Sequence, residues 1–198
     1  MNLVIGSFGV VLTLAAAVTG AMTVFIGVKY KRDRLRIVGA KYAWIAFAGM
    51  CLSTFAMQRA LITRDFSIQY VAEHGSSTTP PLYNVATMWS ALEGSILLWG
   101  LILAGYLAVV AKKFSNRLSD PMVSWALITM FLVTAFFSLI MLGPANPFQS
   151  FNPPVGYDGP GPNPLLQNHI LVAFHPPMLY LGYVGFTVPF SFAMAALI

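Results

Sequence analysis

Long apolar runs separated by short polar connections set the pattern of this chain. No charge occurs from Met1 to Val28, a run longer than the ~20 residues that cross a bilayer. Its basic residues follow it, whereas a cleaved signal peptide starts with them and has a shorter apolar core. The run therefore reads as a spanning helix with the N-terminus outside. Further runs lie between Lys41 and Ile62, from Ala86 to Ala111 with one interruption at Glu93, from Pro121 to Leu142, and from Pro176 to Ile198. The pattern predicts an all-α integral membrane protein built as a single membrane domain over 1–198. Its expected spans are about 3–28, 40–62, 86–111, 121–142 and 176–198, with two long outer loops at 63–85 and 143–175. Pro189 inside the last run predicts a kink there.

Composition agrees with this reading and charge orients it. Of the 198 residues 58% are hydrophobic and only 9% charged, against about 25% charged in soluble domains. So little charge cannot coat a globule of this size, which excludes a soluble enzyme or nucleic-acid module. The net charge of +5 is concentrated. Lys29, Lys31, Arg32, Arg34, Arg36 and Lys41 fall in the first connection and Lys112, Lys113 and Arg117 in the third, nine of eleven basic residues in all. Arg59 and Arg64 lie on the other side, balanced by Asp65 and Glu73. That asymmetry is a positive-inside signal. The basic cluster faces anionic lipid and is no nucleic-acid footprint.

The outer loops differ in character. The first is polar, with Tyr70, His74, a Ser/Thr stretch and Pro80-Pro81. The second is too dense in Pro and Gly for a helix, yet carries Phe148, Phe151, Val155 and Tyr157. A flexible linker lacks such residues. The loop reads as ordered, packed over the outer face, and suited to covering a site or docking a partner.

Few side chains could carry chemistry. Cys51 is alone in an apolar run and can form neither an internal disulfide nor a C-x-x-C site. Glu93 is expected about seven residues inside its helix, roughly 10 Å below the outer end. A carboxyl at that depth costs roughly 2.5–3.5 kcal/mol on insertion scales. It is either a proton carrier or hydrogen-bonding anchor, or a structural carboxyl paired across helices. Ala86, Trp89, Ser90, Glu93 and Leu97 would share one helix face. His175 precedes Pro176-Pro177 and Met178-Leu179-Tyr180. Proline suits a first helical turn and makes the preceding residue extended, so His175 is expected just outside the last span. An imidazole held there could bind a metal or haem iron, or serve as a hydrogen-bonded interfacial residue. His74 and His169 are also on the outer side; the spacing of His169 and His175 matches no familiar zinc site.

The string W-S-A-L-E-G-S-I-L-L-W (Trp89–Trp99), followed by N-P-L-L-Q (Asn163–Gln167) and F-H-P-P-M-L-Y-L-G-Y-V-G-F (Phe174–Phe186), resembles the CcmF family. Tyr70-Val71-Ala72 and Asn146-Pro147-Phe148 are similar to it as well. CcmF is the membrane subunit of the bacterial cytochrome c maturation haem lyase, within the haem-handling superfamily. The resemblance implies that the protein works with a CcmH-type thiol oxidoreductase to attach haem b to the cysteines of a C-x-x-C-H apocytochrome c. The attachment takes place on the outer face of the bacterial cytoplasmic membrane, and haem arrives on the chaperone CcmE. It also implies that His175 is one of two axial haem ligands, with Trp89, Glu93, Pro176, Pro177 and Tyr180 in the motifs around it. The family's tryptophan-rich segment, second outer histidine and second-haem histidines would lie beyond residue 198. The expectation is therefore the N-terminal portion of a longer multi-span protein, inactive alone. The alternative is a proton or solute transporter subunit using Glu93 as carrier.

Overall fold

Helices α1 (Asn2–Lys29) and α2 (Asp33–Thr63) pair along most of their lengths because small residues line their seam. Gly6, Gly9, Thr13, Ala16, Ala17, Gly20 and Ala21 follow i, i+3/i+4 spacing and are buried. A side chain on Gly9 would strike Ser53 and the Gly49 carbonyl, and one on Gly49 would strike Thr13 and the Gly9 carbonyl. Close approach of this kind is how helices associate where lipid removes the hydrophobic driving force. It also brings hydroxyls within reach of the neighbouring backbone. Thr13 Oγ1 donates to the Ala46 carbonyl at 3.1 Å, and Ser53 Oγ to the Gly6 carbonyl at 2.8 Å.

The computed structural model describes residues 1–167 and 170–198. After α2 come α3 (Gln69–His74), α4 (Pro81–Ala86), a 3₁₀ turn at Thr87–Trp89, α5 (Leu92–Lys113), α6 (Pro121–Leu142), α7 (Leu171–Gly185) and α8 (Thr187–Ala196). Among the described residues no strand forms; one isolated antiparallel bridge joins Ile68 to Ser150. Five segments are long and apolar enough to cross a membrane: α1, α2, α5, α6, and α7 with α8 taken together. The fold is therefore that of an all-α membrane protein. The last span divides at Phe186, three residues before Pro189, and Pro189 lies in the first turn of α8, where its missing N–H costs least.

Residues 29–41 and 112–120 gather at one end of the bundle, the basic end; residues 63–91 and 143–165 gather at the other, the loop end. Arg36 locks the basic end although it is only 5% exposed. Its Nε donates to the Gly27 carbonyl at 3.3 Å and its Nη1 to the Ser119 carbonyl at 2.6 Å. One guanidinium thus joins the last turn of α1, the first turn of α2 and the α5–α6 connection. Its charge also suits the negative end of α1.

At the loop end Arg64 closes α2 in the left-handed conformation (φ 54°). The N–H of Asp65 then reaches the Ala60 carbonyl at 2.9 Å, a Schellman-type stop. This turn aims Asp65 at α1, where Asn2 Nδ2 donates to its carboxylate at 2.8 Å. Asn2 Oδ1 in turn accepts from Arg59 at 2.6 Å.

Candidate functional site

The two long connections interlock over the loop end. Gln69 N–H donates to the Gln149 carbonyl and Phe151 N–H to the Ser67 carbonyl, both at 2.8 Å. Phe148 is buried against Gly6 of α1. Tyr157 packs edge-on to Phe66 and donates to the Ala72 carbonyl at 3.0 Å. Ser77 donates to the Asp158 carboxylate through both its backbone N–H and its hydroxyl, which holds that carboxyl below the usual range. The aromatic residues scattered through the Pro/Gly-rich loop are thus its anchors, and the described part of the loop is packed against α3.

Tyr70 is the centre of this end. Its hydroxyl donates to the Thr87 and Met88 carbonyls at 2.7 and 3.1 Å. Burial pushes the phenol pKa up, with the nearby Glu93 charge adding to it. His74 stacks on the Tyr70 ring at 4.7 Å, and its Nδ1 lies 3.0 Å from the Tyr70 carbonyl, so it is half-buried instead of solvated in the loop. Asp65 takes hydrogen bonds from Ser67 and Asn2. Burial alone would raise its carboxyl, but these bonds outweigh burial and hold it below the usual range.

Glu93 is not deep in a helix. Ala91 is extended (φ −139°, ψ 172°), which breaks the chain after the 3₁₀ turn, and α5 begins at Leu92. Glu93 therefore lies in the first turn of α5, where a carboxylate is favoured by the helix dipole. The expected shared helix face of Ala86, Trp89, Ser90, Glu93 and Leu97 does not exist. At the break Gly94 packs so tightly on the Met88 carbonyl and the Tyr70 hydroxyl that no side chain fits there. Ser90 Oγ and Ser95 Oγ donate to the Thr87 and Trp89 carbonyls and hold the break. Glu93 lines a pocket of about 40 Å³ with Gln69, Tyr70, Glu73, Asn146 and Gln149.

His175 also differs from expectation. Helix α7 starts at Leu171, so His175 is within the helix and not in an extended residue ahead of it. Pro176 and Pro177 are inside the helix, in its second turn. A proline there normally leaves the carbonyl four residues earlier without its donor. For Pro176 that carbonyl belongs to Val172, and Trp89 Nε1 donates to it at 3.3 Å.

The His175 side chain is exposed, on a helix that the rest of the described chain covers poorly. Only 17% of the last span is buried, against 44–56% of the other four. Phe174 (56% exposed), Met178 (67%) and Leu179 (40%) flank the imidazole. On its covered side α7 is held by Trp89 at Val172, by Trp99 edge-on to Tyr180 with centroids 5.9 Å apart, and by Tyr106 donating to the Leu181 carbonyl at 3.0 Å. Trp89, Tyr180 and the two prolines thus come together around the His175 helix, while Glu93 stands apart beside Tyr70. Sequence reasoning missed Trp99 as an anchor although it closes the quoted motif. It missed Tyr106 as well, which no motif marks. His169 lies outside the described residues. Among the described residues no cluster of three or more His, Cys, Asp or Glu could hold a metal ion; a haem iron needs only axial donors.

A helical bundle with five segments fit to cross a membrane, and with His175 exposed on its last one, is an integral membrane protein. The model of the family "Cytochrome C assembly protein" matches residues 89–198, and the chain belongs to that family. It is 40% identical over 195 residues to the cytochrome c-type biogenesis protein CcmF of Pseudomonas fluorescens, covering 98% of this chain and 29% of the relative. To the CcmF of Escherichia coli it is 38% identical over 172 residues, 87% of this chain and 26% of the relative. The fold matches a solved structure titled "Cytochrome c Heme Lyase CcmF" with a TM-score of 0.85 and 31% identity, over 99% of this chain and 30% of that one. The chain thus spans less than a third of the length of these relatives.

Proposed function

We propose that this chain is the part of a CcmF-type haem lyase that holds haem b, the substrate, at the loop end of the bundle. His175 serves there as one axial ligand to the iron. The observation that carries the proposal is the exposed imidazole on α7, flanked by exposed Phe174 and Met178 and braced from behind by Trp89 and Trp99. An apolar macrocycle can lie against those flanks while the imidazole reaches its iron. With haem so held, each thiol of the apocytochrome C-x-x-C-H segment adds across a vinyl group. A carbon–sulfur bond forms, the S–H proton ends on the neighbouring carbon, and no net oxidation occurs. The role of this chain is positioning, as in other sites where the cofactor carries the reactivity.

The α2–α5 and α6–α7 connections face the periplasm in this reading and dock the haem chaperone CcmE, the apocytochrome and a CcmH-type thiol oxidoreductase. The nine-to-two asymmetry of basic residues supports that sidedness in the bacterial cytoplasmic membrane. The carrier alternative rested on Glu93 well inside a span; Glu93 in the first turn of α5, at the end of that span, favours the haem reading over it. Replacing His175 with Ala in the intact protein, expressed with its maturation partners, tests the proposal. The expected result is loss of holocytochrome c with the membrane protein still made. An unchanged yield would reject His175 as ligand.

A further inference from the structure

We infer that Trp89 is a positioning residue for the His175 helix, its indole N–H replacing the backbone donor that Pro176 lacks. The inference rests on reading His175 as a haem ligand where it predicts haem binding, and on geometry alone where it predicts the helix. In an unbroken α-helix the N–H of residue 176 would bond to the carbonyl of Val172. Proline has no such N–H, and a carbonyl left without a donor away from water is destabilising. Trp89 Nε1 supplies the donor at 3.3 Å.

The indole can reach because the chain breaks just after it. The Trp89 ring belongs to a 3₁₀ turn whose exit is set by extended Ala91 and by Gly94 packed on Tyr70. Trp99, two turns further along α5 and in another direction, meets Tyr180. The two tryptophans therefore hold α7 at Val172 and Tyr180, one on either side of His175 along the helix. A side chain that grips the backbone one turn before His175 fixes both the axial position and the rotation of that helix. Those two quantities decide where the imidazole points. The adjacent prolines then have a use: they open a carbonyl that a side chain from another element can hold, which a regular helix would keep to itself.

The test is a double-mutant cycle in the intact, membrane-embedded protein with its maturation partners. Trp89→Phe keeps a ring and deletes the donor; Pro176→Ala gives the Val172 carbonyl a backbone donor of its own. Haem retained on purification should fall about 2- to 10-fold in Trp89→Phe. In the Pro176→Ala background the same substitution should change haem content by less than about 2-fold, because the bond is no longer needed. Hydrogen exchange of the α7 amides on the same four proteins gives a readout independent of haem. It should speed up in Trp89→Phe and return in the double variant. An effect of Trp89→Phe on α7 exchange that is equal in both backgrounds, or absent from both, would overturn the inference. His175→Ala separates the two claims: if it leaves haem content unchanged the ligand reading fails, and the exchange cycle alone decides the role of Trp89.

Discussion

The Tyr70 hydroxyl occupies the space into which any side chain on Gly94 would have to project, while donating to the carbonyls of Thr87 and Met88. That arrangement ties the start of α5 to a residue in α3. Gly94→Ala should therefore destabilise the protein by about 1–3 kcal/mol, the usual cost of overpacking. Tyr70→Phe, which keeps the ring and removes only the bonds, should cost less. Thermal unfolding in detergent measures both. A Gly94→Ala protein as stable as the parent would show that the break before α5 does not need this contact.

The basic end offers a second test. Arg36 is buried and holds carbonyls from two other segments, so Arg36→Met should lower stability by about 2–4 kcal/mol, since hydrogen bonds from a charged group are worth about 1.5–3 kcal/mol. Arg36→Lys should not restore it, because an ammonium on a single stem cannot serve Gly27 and Ser119 together. The Asp33 partner at 3.6 Å is more than half exposed, and Asp33→Asn should change stability by no more than about 1 kcal/mol. Denaturation midpoints of the three variants check the order.

Asp65 gives a pH dependence with a definite sign. Its folded carboxyl is held below the ordinary value by Ser67 and Asn2, against the opposing effect of burial. Its stabilising contribution is therefore fully present above the unfolded value of about 3.9 and is lost as pH falls through the lower folded value. Asp65→Asn should be less stable than the parent at neutral pH, and the difference should shrink below about pH 4. A stability gap that stays constant down to pH 2 would contradict this assignment.

Much of the architecture was legible in the sequence because lipid imposes a simple rule. A charge-free run of sufficient length must hydrogen-bond its own backbone, and a helix does so. The five spans follow from that rule; the final one, read as starting at Pro176, begins at Leu171. What could not be read was every feature set by a residue distant along the chain. Periodicity alone carries a helix from Ala86 through Glu93; the structure breaks it at extended Ala91, where Tyr70 from α3 packs on Gly94. The rule that proline opens a helix set the expectation for His175. The structure departs from that rule: α7 begins at Leu171, and Trp89, 83 residues earlier than Val172, donates to the carbonyl that Pro176 frees. The short helices α3 and α4 are too polar or too brief to stand out; they are fixed by their packing, α3 against the α6–α7 loop and α4 against α2 and α7.

Whether the imidazole of His175 reaches haem iron is measured most directly by the absorption and electron paramagnetic resonance spectrum of ferric haem in the purified intact protein. With His175 as one of two axial histidines the parent should show a low-spin, six-coordinate spectrum. His175→Ala should convert it to high-spin, and added imidazole should return the low-spin form. A His175→Ala protein with an unaltered low-spin spectrum and full haem content would contradict the account.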